Sequence, residues 1–104
     1  MKTMYHATKL DNLDSILANG LKRNNFEHVV FLCETPEDAA KFLLVRGIEQ
    51  FVVIPVSIHE KFLEESFDHS FQFFKCRCWM YYKDIPPRNI DEFEMLEYDA
   101  KEGA

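Results

Sequence analysis

Met4-Tyr5-His6-Ala7-Thr8, followed at once by Lys9-Leu10-Asp11-Asn12-Leu13-Asp14-Ser15-Ile16-Leu17-Ala18-Asn19-Gly20-Leu21, reads as a short strand that runs directly into a helix. Side chains alternate along a strand, which sets Tyr5 and Ala7 on one face and His6 and Thr8 on the other. A His and a Thr side by side offer a ligand one switchable donor or acceptor and one hydroxyl. Asp11 can cap the first helical turn, Leu13, Ile16 and Leu17 form an apolar stripe, and Gly20 suits the left-handed position that ends a helix. A helix placed this way packs back over the strand and holds the His6–Thr8 pair. A purely structural role is the competing reading: His6 satisfied by its neighbours, and Thr8 leading into the turn.

Working outward, the polar run Lys22-Arg23-Asn24-Asn25 is a loop, and Val29-Val30-Phe31-Leu32 is a short buried strand. Thr35-Pro36-Glu37-Asp38 announces a second helix: Thr35 as N-cap, Pro36 in the first helical position, Asp38 to complete a capping box, and both acids at the positive end of the helix dipole. Ala39, Ala40, Phe42 and Leu43 supply its buried stripe, and Gly47 closes it. Phe51-Val52-Val53-Ile54-Pro55-Val56-Ser57-Ile58 is the strongest strand, apolar enough for a central position, with Pro55 marking a bulge or a local edge.

His59 to Phe67 is expected to be a short helix or turn with Phe62 and Leu63 buried. Phe71 to Tyr82 forms one or two strands, Ile85-Pro86-Pro87-Arg88-Asn89-Ile90 a turn, and Phe93 to Tyr98 a last strand. The order β-α-β-α-β-(α)-β-β predicts an α+β fold with a mixed, largely antiparallel sheet and two to three short helices.

At 104 residues and 47% hydrophobic content, the chain is expected to fold as one domain over residues 1–104 around a single core. It contains no apolar run long enough to span a bilayer, and charged and polar residues interrupt any signal-peptide layout by Asp11, so a cytoplasmic protein without a membrane partner is expected. Three cysteines, Cys33, Cys76 and Cys78, give no basis for a disulfide framework. A net charge of −6 disfavours a protein that grips a long stretch of nucleic-acid backbone, since that affinity comes from Lys and Arg replacing counterions. Acids crowd the C-terminal end (Asp91, Glu92, Glu94, Glu97, Asp99, Glu102), as a solvated face or as a surface for a basic partner.

Cys76-x-Cys78 puts two thiols on one strand face, but zinc wants four Cys or His ligands, and only Cys33 and scattered histidines are left to complete a site; no metal is expected. Asp68-His69-Ser70 has the residue types of a hydrolase triad, yet three adjacent residues cannot form its chain of hydrogen bonds. Asp68 or His69 is instead available to a ligand at a strand entrance, or belongs to a polar loop. Arg77, a cation inside an aromatic stretch, is the best candidate for a phosphate contact; a solvent-facing arginine is the alternative.

Three segments taken together resemble the small ADP-ribosyltransferase-like domains, with the DarT-type DNA ADP-ribosyltransferases and the RNA 2′-phosphotransferases as neighbours. They are Tyr5-His6-Ala7-Thr8 with Ile16-Leu17-Ala18-Asn19-Gly20-Leu21, Val30-Phe31-Leu32-Cys33-Glu34-Thr35-Pro36-Glu37-Asp38-Ala39, and Tyr82-Lys83-Asp84-Ile85-Pro86-Pro87-Arg88-Asn89-Ile90. The resemblance implies that NAD is bound as substrate, with His6 on the adenosine ribose, Thr8 toward the nicotinamide, Phe31 stacked on the nicotinamide, and Tyr5 in the same binding segment.

It further implies transfer of ADP-ribose to a protein or nucleic-acid acceptor, with His6, Asp68 and Arg77 as the catalytic set. In that superfamily a glutamate orients the nicotinamide ribose; its position falls near Cys76 to Cys78, where the sequence has no acid. A carboxylate is needed there because breaking the nicotinamide bond builds positive charge on the ribose. Asp68 and Asp84 are the relocated candidates. Without one, the pocket is that of a catalytically silent module for nucleotide sensing or protein interaction.

Overall fold

The β-branched run forms the long strand β3 (Gln50–Ile58), and the opening stretch forms β1 (Lys2–Lys9), paired antiparallel to it from Lys2–Ile58 to Lys9–Phe51. The computed structural model describes residues 1–25, 28–66 and 78–99. Its remaining strands are β2 (Val30–Cys33), β4 (Leu63–Glu65), β5 (Cys78–Tyr81) and β6 (Leu96–Asp99), and its helices are α1 (Leu13–Asn19) and α2 (Pro36–Leu44). One six-stranded sheet runs in the order β4-β5-β2-β1-β3-β6. Every pairing among these strands is antiparallel, so the expected α+β plan holds without a parallel pair.

Alternation along β3 splits the core in two. Val52, Ile54, Val56 and Ile58 face α1 and join Met4, Leu32, Ile16 and Ile85; Phe51 and Val53 face the other way and pack with Ala39, Ala40 and Leu43 of α2. The two helices thus cover opposite faces of the sheet, each burying one stripe. Phe51, Met4, Leu32, Ile54 and Ile58 are fully buried, and side chains of this size contribute roughly 1.5–3 kcal/mol each on burial.

Local signals explain the helix ends. The Asp38 amide donates to Thr35 Oγ1 at 3.1 Å with Pro36 opening α2, as the sequence requires, while the Asp38 carboxylate lies 3.9 Å from Lys41 Nζ. Asp11 does not cap α1: it sits in a 3-10 turn, Leu10–Asn12, inserted between strand and helix. Gly20 ends α1 at φ +83°, where its amide reaches the Ile16 carbonyl at 2.7 Å.

Of the two expectations for Pro55, a bulge or a local edge, the edge describes it: the register with β1 is unbroken, its carbonyl accepts from the Asp91 amide at 3.0 Å, and its missing N–H falls on the β6 side, beyond the ladder that β6 makes with Gln50–Val53. Two other expectations need correction. The segment after His59 is a 3-10 turn (Glu60–Phe62) followed by strand β4, with Phe62 and Leu63 only half-buried, because Leu63 and Glu65 pair with Tyr81 and Trp79. Phe93 lies outside the last strand, in a 3-10 turn (Glu92–Glu94) capped by the Asp91 side chain. Most of the aromatic stretch expected from Phe71 onward lies outside the described residues; its end forms β5. Among the described residues no helix is long and apolar enough to cross a membrane.

Candidate functional site

The site begins where β1 and β2 part. They pair at Tyr5 opposite Cys33, and a continued antiparallel ladder would next set Ala7 opposite Phe31. Instead, the His6 ring enters the gap and its Nδ1–H donates to the Phe31 carbonyl at 2.8 Å. A carbonyl can only accept, so Nδ1 carries the proton and Nε2 is left as an acceptor. The residue keeps some exposed surface, yet the protein around the ring strips water from the imidazolium and pushes its pKa below the ordinary value, with the Phe31 bond acting weakly in the opposite sense. His6 is therefore held as a neutral imidazole.

Around it lies a cavity of about 60 Å³ lined by Tyr5, His6, Ala7, Phe31, Cys33, Ala39 and Phe42. The Phe31 and Phe42 rings lie 6.0 Å apart, and the Arg46 guanidinium covers Phe42 at 3.8 Å from the ring centre. The cavity is far below the roughly 300–1,000 Å³ of a pocket that encloses a drug-sized ligand. It has room for one edge of a flat ring, between largely apolar walls that include the Phe31 and Phe42 side chains.

Of the residues singled out from sequence, Tyr5, His6 and Phe31 meet here. Thr8 does not line the cavity: it is buried toward α1, where its Oγ1 accepts from Asn12 Nδ2 at 3.1 Å. Asp68, Arg77, Cys76 and the Asp68-His69-Ser70 run lie outside the described residues. Asp84 is held elsewhere, accepting from the Arg23 amide at 2.8 Å and pairing with its guanidinium at 3.2 Å; those contacts draw its pKa down.

Cys33, Ala39 and Phe42 were not anticipated. Cys33 shares a face with Phe31 by alternation, and Phe42 follows Ala39 by one helical turn, so the pattern was present but indistinguishable from core packing. The lining contains no carboxylate among the described residues. Glu34, the acid next to Cys33, belongs by alternation to the opposite face, where its Oε1 accepts from Trp79 Nε1 at 2.9 Å. Among the described residues no three His, Cys, Asp or Glu side chains gather as a metal site would require.

Comparison with protein-family models gives no match, and comparison with curated proteins gives none either.

Proposed function

We propose that the gap between β1 and β2 binds NAD or another nucleotide containing ADP-ribose, in a fold of the ADP-ribosyltransferase-like kind. The observation that carries this reading is His6, fixed through Nδ1–H to the Phe31 carbonyl so that Nε2 is its remaining acceptor, at a cavity lined also by Tyr5, Phe31 and Phe42. A ribose hydroxyl can donate to Nε2, and a nicotinamide or adenine ring can lie against the aromatic walls. Support also comes from the way the three resembling segments meet: Leu21, just past α1, forms a bridge with Ile85 in the Ile-Pro-Pro turn, and α2 closes the cavity from the other side.

In a transferase, the bond from the ribose C1′ to nicotinamide breaks, nicotinamide leaves with the bonding electrons, and a nucleophile of a protein or nucleic-acid acceptor bonds to C1′. The charge that develops on the ribose calls for a carboxylate; under this reading Asp68 supplies it and Arg77 holds a phosphate. A second reading, in which the same pocket only senses the nucleotide, rests on the sequence having no acid near Cys76 to Cys78.

Calorimetric titration of NAD and ADP-ribose into the wild type and His6→Ala, with free nicotinamide assayed in the same samples and folding checked by thermal melting, separates these readings. Binding that a folded His6→Ala loses supports the site. Nicotinamide release then identifies a transferase or glycohydrolase, and binding without release a sensor. Failure of both nucleotides to bind the wild type overturns the proposal.

A further inference from the structure

We propose that the outer edge of β6, with Phe93 beside it, docks an extended protein segment in which basic residues alternate with apolar ones. Among the described residues β6 ends the sheet, and the side of its backbone turned away from β3 pairs with no described strand. Phe93 is 98% exposed and Leu96 46%. Phe93 is presented by a built turn: the Asp91 amide donates to the Pro55 carbonyl at 3.0 Å, and the Asp91 carboxylate accepts from the Phe93 amide at 3.2 Å. A large aromatic ring held in water by its own backbone is costly unless something covers it. At its foot is an open concavity of about 490 Å³ whose lining includes Ser57, Arg88, Asn89, Ile90 and Phe93, large enough for a side chain of an incoming segment.

Charge decides the occupant. From Asp91 to Asp99 the chain carries Asp91, Glu92, Glu94, Glu97 and Asp99 and no Lys or Arg. The register with β3 divides the strand: Glu97 and Asp99 lie opposite Val52 and Gln50 on one face, Leu96 and Tyr98 opposite Val53 and Phe51 on the other. A strand laid along β6 therefore meets acids on one face and apolar groups on the other, and alternating Lys or Arg with Val, Leu or Ile complements both. A second copy of this chain is the poorer fit, because two β6 strands would bring their Glu97 and Asp99 side chains together as like charges. Nucleic acid and anionic lipid are repelled by the same acids.

The test uses the full chain and a fluorescein-labelled, end-blocked peptide of about twelve residues alternating Lys with Val and Leu, long enough to span an edge strand. Fluorescence polarisation at about 0.15 M salt, where long-range attraction is screened, should show saturable binding. Phe93→Ser keeps the charge, and its exposed position makes a folding defect unexpected; it should weaken binding by about tenfold. Glu94→Lys with Glu97→Lys should abolish it, while Asp14→Lys on α1 should leave it within about twofold, as expected for a distant surface charge.

No binding by the wild type overturns the proposal. So does binding that ignores Phe93→Ser, or that falls equally with Asp14→Lys, since either shows attraction to net charge alone. Sedimentation that finds a dimer dissolved by Phe93→Ser overturns it in favour of self-association.

Discussion

The imidazole of His6 takes the place of a backbone partner for Phe31: its Nδ1 lies 2.8 Å from the Phe31 carbonyl at the point where β1 and β2 stop pairing. One side chain thus closes a sheet hydrogen bond at the edge of an aromatic cavity and keeps Nε2 as its acceptor. The same contact makes this part of the fold sensitive to acid.

Burial lowers the pKa of His6 from its ordinary 6.5. Between that value and the lower folded one, the unfolded chain binds a proton that the folded chain refuses. Stability contributed by neutral His6 is therefore fully present above pH 6.5 and is lost as pH falls through the folded pKa. Urea unfolding between about pH 7 and pH 5 should show stability falling toward acid, and His6→Gln should flatten that slope. Equal slopes in the two proteins would refute the assignment.

Gly20 separates steric clash from backbone strain. A Cβ there would sit 2.2 Å from the Ile85 carbonyl oxygen at φ +83°, whereas one at Gly47, at φ +77°, meets nothing within 4 Å. Gly20→Ala should cost about 2–3 kcal/mol in urea unfolding, and Gly47→Ala about 1 kcal/mol from conformation alone. Similar losses at both positions would mean that the turn at Ile85 does not press on α1.

Thr35→Ala removes the hydroxyl that receives the Asp38 amide and should destabilise the domain by about 1 kcal/mol, with Thr35→Ser restoring most of it. Because α2 supplies Ala39 and Phe42 to the cavity, the alanine variant should also weaken any nucleotide bound there.

Cys33 and Cys78 stand directly opposite each other on β2 and β5, and both are buried. Opposed residues in an antiparallel pair have Cα atoms about 4.5–5.5 Å apart, within the span a disulfide can bridge. In a Cys76→Ser background, diamide under mildly destabilising urea should join Cys33 to Cys78 within one chain, detected by mass spectrometry of the non-reduced digest. A shifted β2–β5 register would leave the thiols unjoined.

Elements with strong local signals were legible in the sequence: β3 from its β-branched run, α2 from Thr35 and Pro36, the end of α1 from Gly20. β4 was not, because Leu63-Glu64-Glu65 has little strand propensity of its own and is extended only by pairing with β5. The last strand was expected to start at Phe93, whose aromatic character suits a strand, but the Asp91 cap holds it in a turn. At the site, alternation and the family resemblance brought out Tyr5, His6 and Phe31. Thr8 was paired with His6 as a ligand contact, but its hydroxyl is taken by Asn12 of the 3-10 turn that follows the strand, a partner that alternation along the strand does not reveal.

The pairing of β1 with β3 also governs how the chain folds during synthesis. Lys2 finds its partner only at Ile58, and Thr8 at Val52, so β1 waits for β3 before its longest ladder can close. Closing contacts this distant in sequence must overcome loop entropy before they gain anything, which places the domain among slower-folding topologies. Until β3 is made, β1, α1, β2 and α2 lack the β3 side chains that join both halves of the core, and truncations that end before Gln50 should yield chains that aggregate or are degraded rather than a smaller stable unit.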